Sequence, residues 1–426
     1  MEQAELFNLR DVPPVGVTER SDETAIHEEL RAFREFGKAT VVTSIEDGGE
    51  AVPVYINEFW TAKQRAAHSL HEVSYRACFK PQLPNFFIQR FSTLGDSVYD
   101  PFGGRGTTAL EAALRGRIPV SCDINPLSRI LLEGRMLPPD LAQIAERLGS
   151  LPLEGSVAIR DGLDVFFHAH TLQAISNLRD YFLDRAAGGS LDAVDRWIRM
   201  VATNRLTGHS PGFFSVYTLP PNQATSVVAQ ARINAKRNQV PPPRDVRAII
   251  LKKSRSLLSD LTSIDRQTLR EAASKARMLT ASADATPEIR DGSVQLVITS
   301  PPFLDVVNYR DDNWLRCWFN GIDAATLPIW KVRTELVWQE RMTGVFQELR
   351  RVLEVGGWIA FEVGEVRGGK VQLEHAVIRA MRSASIQPCL VLINAQTFTK
   401  TANCWGVDNN ALGTNSNRVV LGRKMN

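Results

Sequence analysis

Asp100-Pro101-Phe102-Gly103-Gly104-Arg105-Gly106-Thr107 and Ser300-Pro301-Pro302-Phe303 are the two stretches of this 426-residue chain whose residue types and spacing point to chemistry. In the first, glycines fall between a short β-rich run and a helix-forming run, where backbone passes close to a ligand and the first N–H groups of the helix point outward. Gly104-x-Gly106-x-x-Ala109 satisfies a dinucleotide fingerprint, and Asp123 follows about twenty residues later at the end of the next strand, where a carboxylate takes ribose hydroxyls. On spacing alone three readings stay open: a structural turn, a nicotinamide or flavin site, and a site for another adenosine cofactor. In the second stretch each proline fixes its own φ, removes a donor and pushes the residue before it into extended geometry. Ser300-Pro301-Pro302 is therefore a nearly rigid strand end, which either closes a sheet edge or holds polar groups fixed in space.

Taken together, the two motifs resemble the hallmarks of the DNA amino-methyltransferases, D-P-F-x-G-x-G-T and [DNS]-P-P-[YFW]. The likeness extends to Lys80-Pro81-Gln82-Leu83, similar to the family's K-P-x-x-L element, and to Ser282-Ala283-Asp284-Ala285, placed like the turn that contacts adenine. It also takes in Gly356-Gly357 between a helix and a strand, and the C-terminal run Asn417-Arg418-Val419-Val420-Leu421. It covers about residues 70–135 and 278–424. The resemblance implies an α/β fold with a Rossmann-like methyltransferase sheet, mostly parallel with an antiparallel C-terminal strand. It implies S-adenosylmethionine as cofactor, with no metal, held by Lys80, Pro81, Asp100, Pro101, Phe102, Gly104, Gly106, Thr107, Asp123 and Asp284. Catalysis falls to Ser300, Pro301, Pro302 and Phe303. Ser300 Oγ and the Pro301 carbonyl accept hydrogen bonds from an exocyclic amine, and Phe303 stacks on a base flipped out of the duplex. Serine at the first position of this motif goes mostly with cytosine N4, aspartate or asparagine with adenine N6. The motif order differs from the permuted order of many cytosine-N4 enzymes, so an adenine-N6 enzyme of the same fold stays open.

The elements that must position these motifs are legible in outline. From Ser97 the chain reads strand (SVYD), glycine turn, helix (TTALEAALRG), strand (IPVSCD), the alternation of a parallel sheet. The pattern resumes near residue 294 with VQLVITS, a helix (MTGVFQELRRVL) and the strand WIAFEV. Residues 135–275 read as a mainly helical insertion, and residues 1–60 as an N-terminal appendage with a β-hairpin turning at Glu46-Asp47-Gly48-Gly49. The catalytic domain is thereby assigned to residues 61–134 and 276–426.

A net charge of +3 implies no polyanionic partner by itself, so the placement of charge decides. Between Arg232 and Arg255 the chain carries Arg232, Lys236, Arg237, Arg244, Arg247, Lys252, Lys253 and Arg255 against Asp245 alone. Arg205, His209, Phe213 and Phe214 precede it in a Gly/Pro loop suited to base contacts or to filling a vacated stack. The expected DNA contacts are Arg205, His209, Arg232, Lys236, Arg237 and Arg244, weighed against a solvated helical face and a satisfied loop histidine.

Composition, 44% hydrophobic and 23% charged, is that of a soluble globular protein with room for a sizeable core. Cys78, Cys122, Cys317, Cys389 and Cys404 are scattered and odd in number, which favours reduced thiols and a cytoplasmic setting. His168 and His170 lack a third ligand at metal spacing. The start, MEQAELFNLRDVPP, has no secretory pattern, and no run reaches the ~18 apolar residues of a membrane span. The leading expectation is a site-specific DNA methyltransferase, bacterial or phage-encoded. It would be either the modification half of a restriction–modification system with a cognate endonuclease encoded nearby, or a solitary epigenetic enzyme. An RNA or protein methyltransferase and a non-catalytic nucleic-acid-binding module are the rivals. No nuclease pattern is evident.

Overall fold

The computed structural model describes residues 22–61, 67–76, 78–155, 160, 162–220, 224–304, 308–366, 371–395 and 416–426. The opening MEQAELFNLRDVPP and Cys404 lie outside these residues. In chain order, α1 (Glu23–Ala32) precedes a hairpin, β1 (Val41–Asp47) and β2 (Glu50–Asn57), and α2 (Gln82–Phe91) leads into β3 (Ser97–Asp100). Next come α3 (Thr107–Leu114), β4 (Ile118–Asp123) and α4 (Leu127–Met136). The insertion supplies α5 (Leu141–Ser150), α6 (Ala169–Ala187), α7 (Ala193–Thr203), α8 (Val227–Arg237), α9 (Val246–Leu257) and α10 (Ser263–Ala273). The sheet resumes with β5 (Arg277–Thr280) and β6 (Val294–Thr299), followed by α11 (Tyr309–Phe319), α12 (Glu335–Val352) and β7 (Leu353–Val363). A small ribbon of β8 (Glu365–Val366) and β9 (Val371–Gln372), then α13 (Leu373–Ser383), β10 (Gln387–Ala395) and β11 (Ser416–Arg423), complete the described chain.

Among the described residues nine strands form one sheet in the order β1-β2-β10-β11-β7-β6-β3-β4-β5. β6, β3, β4 and β5 run parallel to their neighbours and to β7, whereas β11 is antiparallel to both β7 and β10. This is a Rossmann-like α/β sheet, mostly parallel, with the expected antiparallel C-terminal strand. Its strands alternate between two covered faces. Tyr99, Cys122, Val297, Phe361 and Val391 join the cluster under α12 and α13, while Val98, Leu296, Ile298, Trp358 and Leu392 join the cluster under α1 and α2. Burial on both faces explains why these strands read as short continuous apolar runs.

Two elements differ from the sequence reading. The hairpin is not set apart as an appendage. β2 pairs in parallel with β10, Val54 beside Val391 through Asn57 beside Asn394, so the hairpin continues the main sheet. The physical reason is that β2 has buried residues on both faces, Val52 and Val54 on one and Tyr55 on the other, which a free hairpin could not cover. Asn394 locks the junction: its Oδ1 accepts from Phe59 N (2.7 Å) and Trp60 N (3.2 Å), and its Nδ2 donates to the Trp60 carbonyl (3.2 Å). The sheet also resumes earlier than residue 294. The four-residue edge strand β5, with no fully buried side chain, pairs with β4.

Residues 135–275 are helical in their regular parts, and they are not a detached body. One apolar cluster runs from α3 and α4 through Trp197, Ile198 and Val201 of α7 to Leu315 and Phe319 of α11. Gly134 makes the tight α4–α7 crossing possible, since a Cβ there would stand 2.8 Å from the Arg196 carbonyl oxygen. Among the described residues no helix is long and apolar enough to cross a membrane.

Candidate functional site

The sheet order reverses between β3 and β6, and in an open α/β sheet the crevice outside the strand ends at such a point is where ligands bind. Asp100 ends β3 and Thr299 ends β6, so the glycine-rich motif and the serine–proline motif leave the sheet side by side. Thr299 Oγ1 donates to Asp100 Oδ1 at 2.6 Å, and Thr108 Oγ1 of α3 donates to the Ile298 carbonyl at 3.1 Å. Two motifs separated by almost 200 residues are thus joined by side chains of the motifs themselves.

Between them opens a cleft. Its wall includes Asp100, Pro101, Phe102, Gly103, Gly104, Thr107, Asp123, Ser300 and Pro302, as the sequence led one to expect. It also includes Phe79, which directly precedes the Lys80-Pro81 element, and Tyr75, Ile124, Asn125, Tyr309 and Trp330, which no pattern singled out. Lys80, Pro81, Gly106, Asp284, Pro301 and Phe303, also expected at the site, are not among the residues that line the cleft. Pro81 is the N-cap of α2, and burial followed by nearby Arg105 lowers the Lys80 pKa. Asp284 accepts from Ser282 Oγ at 2.5 Å, and the turn meets the cleft through Ser282 and Ala283. Phe303 is half-buried against the cluster beneath α12.

The glycine turn is built from close approaches. Gly103 N donates to the Cys122 carbonyl at 2.8 Å, and a Cβ on Gly103 would lie 2.3 Å from Ser121 Oγ. Gly106 caps α3 in the left-handed region, φ 76°, with Leu132 Cδ1 2.9 Å from where a Cβ would stand. Asp123 Oδ2 accepts from Gly104 N and Oδ1 from Asn125 N, each at 2.8 Å. Burial raises its pKa against those two bonds. Each carboxylate oxygen keeps a lone pair for a further donor. Burial pushes Asp100 up to about 6, although Thr299 and Phe102 N–H both donate to it.

A loop before α2 closes one side. Arg105 donates to the carbonyls of His71 (3.3 Å), Val73 (2.8 Å) and Phe79 (3.2 Å), which ties these three residues to the glycine turn. Fully buried Arg135 donates to the carbonyls of Leu131, Leu70 and Arg105, so a second guanidinium ties the same loop to α4.

The serine–proline strand end is held as stiffly. Trp338 Nε1 of α12 donates to the Pro302 carbonyl at 2.9 Å. The β6–β7 register places Thr299 beside Phe361, hence Ser300 beside Glu362; Asn417 Nδ2 donates to Glu362 Oε1 at 2.9 Å, and the neighbouring Ser300 hydroxyl opposes the effect of burial on that carboxyl. Burial raises the Glu362 pKa. Glu362 was invisible in the sequence because a lone acid at the end of WIAFEV looks like an ordinary strand end; only the register discloses its neighbour.

The basic residues divide. Arg232, Lys236 and Arg237 are exposed on α8, with Arg237 stacked 3.8 Å over Tyr217. Arg244 is half-buried before α9, its backbone tied to Thr171. Arg205 is half-buried 4.1 Å over the Phe213 ring, and burial together with nearby Arg316 pushes its pKa down to about 10. His209 lies with its ring 6.3 Å from Phe213. Two expectations need correcting. Phe213 and Phe214 are buried, not exposed, because Gly208 leaves room for the Phe213 ring to fold back onto the loop. Arg247 donates to the carbonyls of Leu148 and Leu151, and Lys253 pairs with Glu72 at 2.9 Å, so part of the basic run serves the fold.

Residues 22–128 match a family model described as DNA methylase, of the N6/N4 methyltransferase group. The chain is similar to the Type II methyltransferase M.MjaII of Methanocaldococcus jannaschii, 29% identical over 86 residues, 20% of this chain and 16% of that protein. It is similar also to the Type II methyltransferase M.MvaI of Kocuria varians, 26% identical over 148 residues, 34% of this chain and 29% of that protein. The matched part thus spans less than a third of either relative. A solved Thermus thermophilus structure described as a DNA modification methylase aligns over 32% of this chain and 47% of its own, with 18% identity and a TM-score of 0.20.

Proposed function

We propose that this chain, a member of the DNA amino-methyltransferase family, transfers a methyl group from S-adenosylmethionine to an exocyclic base amine of duplex DNA, with cytosine N4 as the acceptor. The observation that carries the reading is the meeting of the two motifs at neighbouring strand ends across one cleft, pinned by Thr299 and Asp100.

The residues present fit the cofactor. Asp123 offers free carboxylate lone pairs to ribose hydroxyls, Phe102, Ile124 and Trp330 give apolar surface for adenine, and the Cβ-less turn at Gly103 and Gly104 lets the ligand approach backbone. When bound, S-adenosylmethionine supplies a sulfonium methyl, so the chain needs no covalent intermediate of its own. What remains for the protein is the amine. Its lone pair is delocalised into the ring, and it becomes nucleophilic as acceptors take its N–H groups and nitrogen pyramidalises. Ser300 Oγ and the Pro301 carbonyl are the acceptors in this reading. In this reading the Ser300 hydroxyl donates its hydrogen to neighbouring Glu362, so that its oxygen lone pairs stay available to the substrate. Glu362 is therefore a positioning residue. Serine, rather than aspartate or asparagine, at position 300 is the feature that favours cytosine.

Asp123→Ala is expected to weaken S-adenosylmethionine binding by about 1.5–3 kcal/mol, the range for a hydrogen bond to a charged group, as read by calorimetry. An unchanged affinity would place the ribose elsewhere.

A pH dependence follows from Asp100. Its folded pKa of about 6 lies above the ordinary 3.8, so ionising it costs the ligand-free fold stability as pH rises through that window. A cationic cofactor favours the carboxylate. Affinity should therefore be full above about pH 6 and fall below it, by up to about tenfold per pH unit for one displaced proton. A flat calorimetric profile between about pH 5 and pH 8 would remove Asp100 from the site.

The substrate class is tested by offering duplex DNA, RNA and a protein mixture with tritiated methyl donor. Label in duplex DNA is expected; label confined to RNA or protein would overturn the reading.

A further inference from the structure

We infer that α8 is the element that enters the DNA major groove and reads base edges, an assignment that rests on the duplex-DNA reading above and goes beyond phosphate contact. Of the eleven residues of α8 only Gln230 is buried. A helix that short is marginal in water, and this one is held by its caps and by a narrow inner face. Ser226 Oγ caps its first turn, accepting from Ala229 N at 3.2 Å, and Asn238 ends it in the left-handed region at φ 47°. Its inner face is held by Val227, packed against the apolar cluster that contains α7, and by amides: Gln230 Nε2 donates to the Tyr217 carbonyl at 3.0 Å and Asn234 Nδ2 to the Val165 carbonyl at 2.7 Å.

The outer face has a composition that suits a groove. Val228, Ala231, Arg232 and Ala235 recur at helical spacing on one stripe, all exposed, with Val228 62% accessible and Lys236 one turn beyond Arg232. Small apolar side chains meet thymine methyl groups, and an arginine makes the bidentate contact to guanine O6 and N7. No carboxylate side chain occurs between Asp195 and Asp245, so nothing on this stretch repels phosphates flanking the groove. Eleven residues make a rod roughly 16 Å long and 10–12 Å across, which matches a groove about 12 Å wide. A protein partner would be expected to find large apolar anchors on such a face, and it has none but Val228.

Placement supports the same assignment. The Thr225 carbonyl, two residues before α8, accepts from Trp314 Nε1 of α11 at 3.1 Å. Trp314 is five residues along α11 from Tyr309, which lines the cleft, a rise of roughly 7.5 Å. The start of α8 is therefore moored beside the cleft, where a helix must stand if the duplex it grips is to deliver a flipped base.

The experiment is methylation of a randomised duplex library by the full chain, with modified sequences read individually. Arg232→Ala is expected to relax preference at one base pair of the target by roughly 5- to 150-fold, the range for one bidentate contact, with S-adenosylmethionine affinity unchanged. Arg255→Ala, an exposed cation off α8, should keep the preference at every position. A Val228→Ser, Arg232→Ala double variant that retains the wild-type preference overturns the inference, as does a loss spread uniformly over all sequences, which would make α8 a phosphate-contacting face only. A wild-type chain that binds S-adenosylmethionine but labels no duplex overturns the underlying DNA reading and this assignment with it.

Discussion

Ser300→Ala is expected to lower the turnover of methyl transfer by roughly 10²- to 10³-fold, the cost of removing one preorganised hydrogen-bonding group from a reacting centre. S-adenosylmethionine affinity should stay within a factor of about two, because the lost contact strengthens as nitrogen pyramidalises and so belongs mainly to the transition state. The Trp338 bond to the Pro302 carbonyl would survive the substitution, so the strand end keeps its place and the loss reports chemistry instead of collapse. Single-turnover rates at saturating donor separate the two. A variant that loses donor binding in proportion to its rate would make Ser300 part of the cofactor wall. Full activity would mean that the stiff strand end holds nothing catalytic.

The largest stability effect is expected at Gly106. An alanine there must adopt φ 76°, at about 1–2 kcal/mol, and must displace Leu132 from a 2.9 Å contact, at about 1–3 kcal/mol more. Gly106→Ala should therefore destabilise by about 2–5 kcal/mol, read from denaturant midpoints. Gly95→Ala separates the two contributions. Gly95 has φ 83° with nothing within 4 Å of an added Cβ, so it carries the backbone cost alone. Equal losses at the two glycines would show that the Leu132 contact yields freely.

What the sequence disclosed follows physical range. β3, β4, β6 and β7 were legible because strands buried on both faces concentrate apolar residues locally. The two motifs were legible because a tight turn and a stiff strand end each need particular residue types at fixed spacing. What stayed hidden depends on distant partners. Nothing near the hairpin announces that Asn394, more than 330 residues away, will receive Phe59 and Trp60. Lys253 read as a free cation because Glu72 stands 181 residues before it. Tyr75, Tyr309 and Trp330 reach the cleft from segments with no pattern of their own. β5 was missed because four residues at a sheet edge bury too little to leave a signature.

Ser300 and its strand end, in this reading, direct methyl transfer to an exocyclic amine of a DNA base. This is tested most directly by digesting duplex DNA treated with the wild-type chain and S-adenosylmethionine to nucleosides and weighing them by mass spectrometry. The expected product is N4-methyldeoxycytidine, formed roughly 10²- to 10³-fold more slowly when Ser300→Ala replaces the wild type. N6-methyldeoxyadenosine would keep the amine chemistry and overturn the assignment to cytosine, whereas 5-methyldeoxycytidine, or no methylated nucleoside from a chain that binds the donor, would contradict the account.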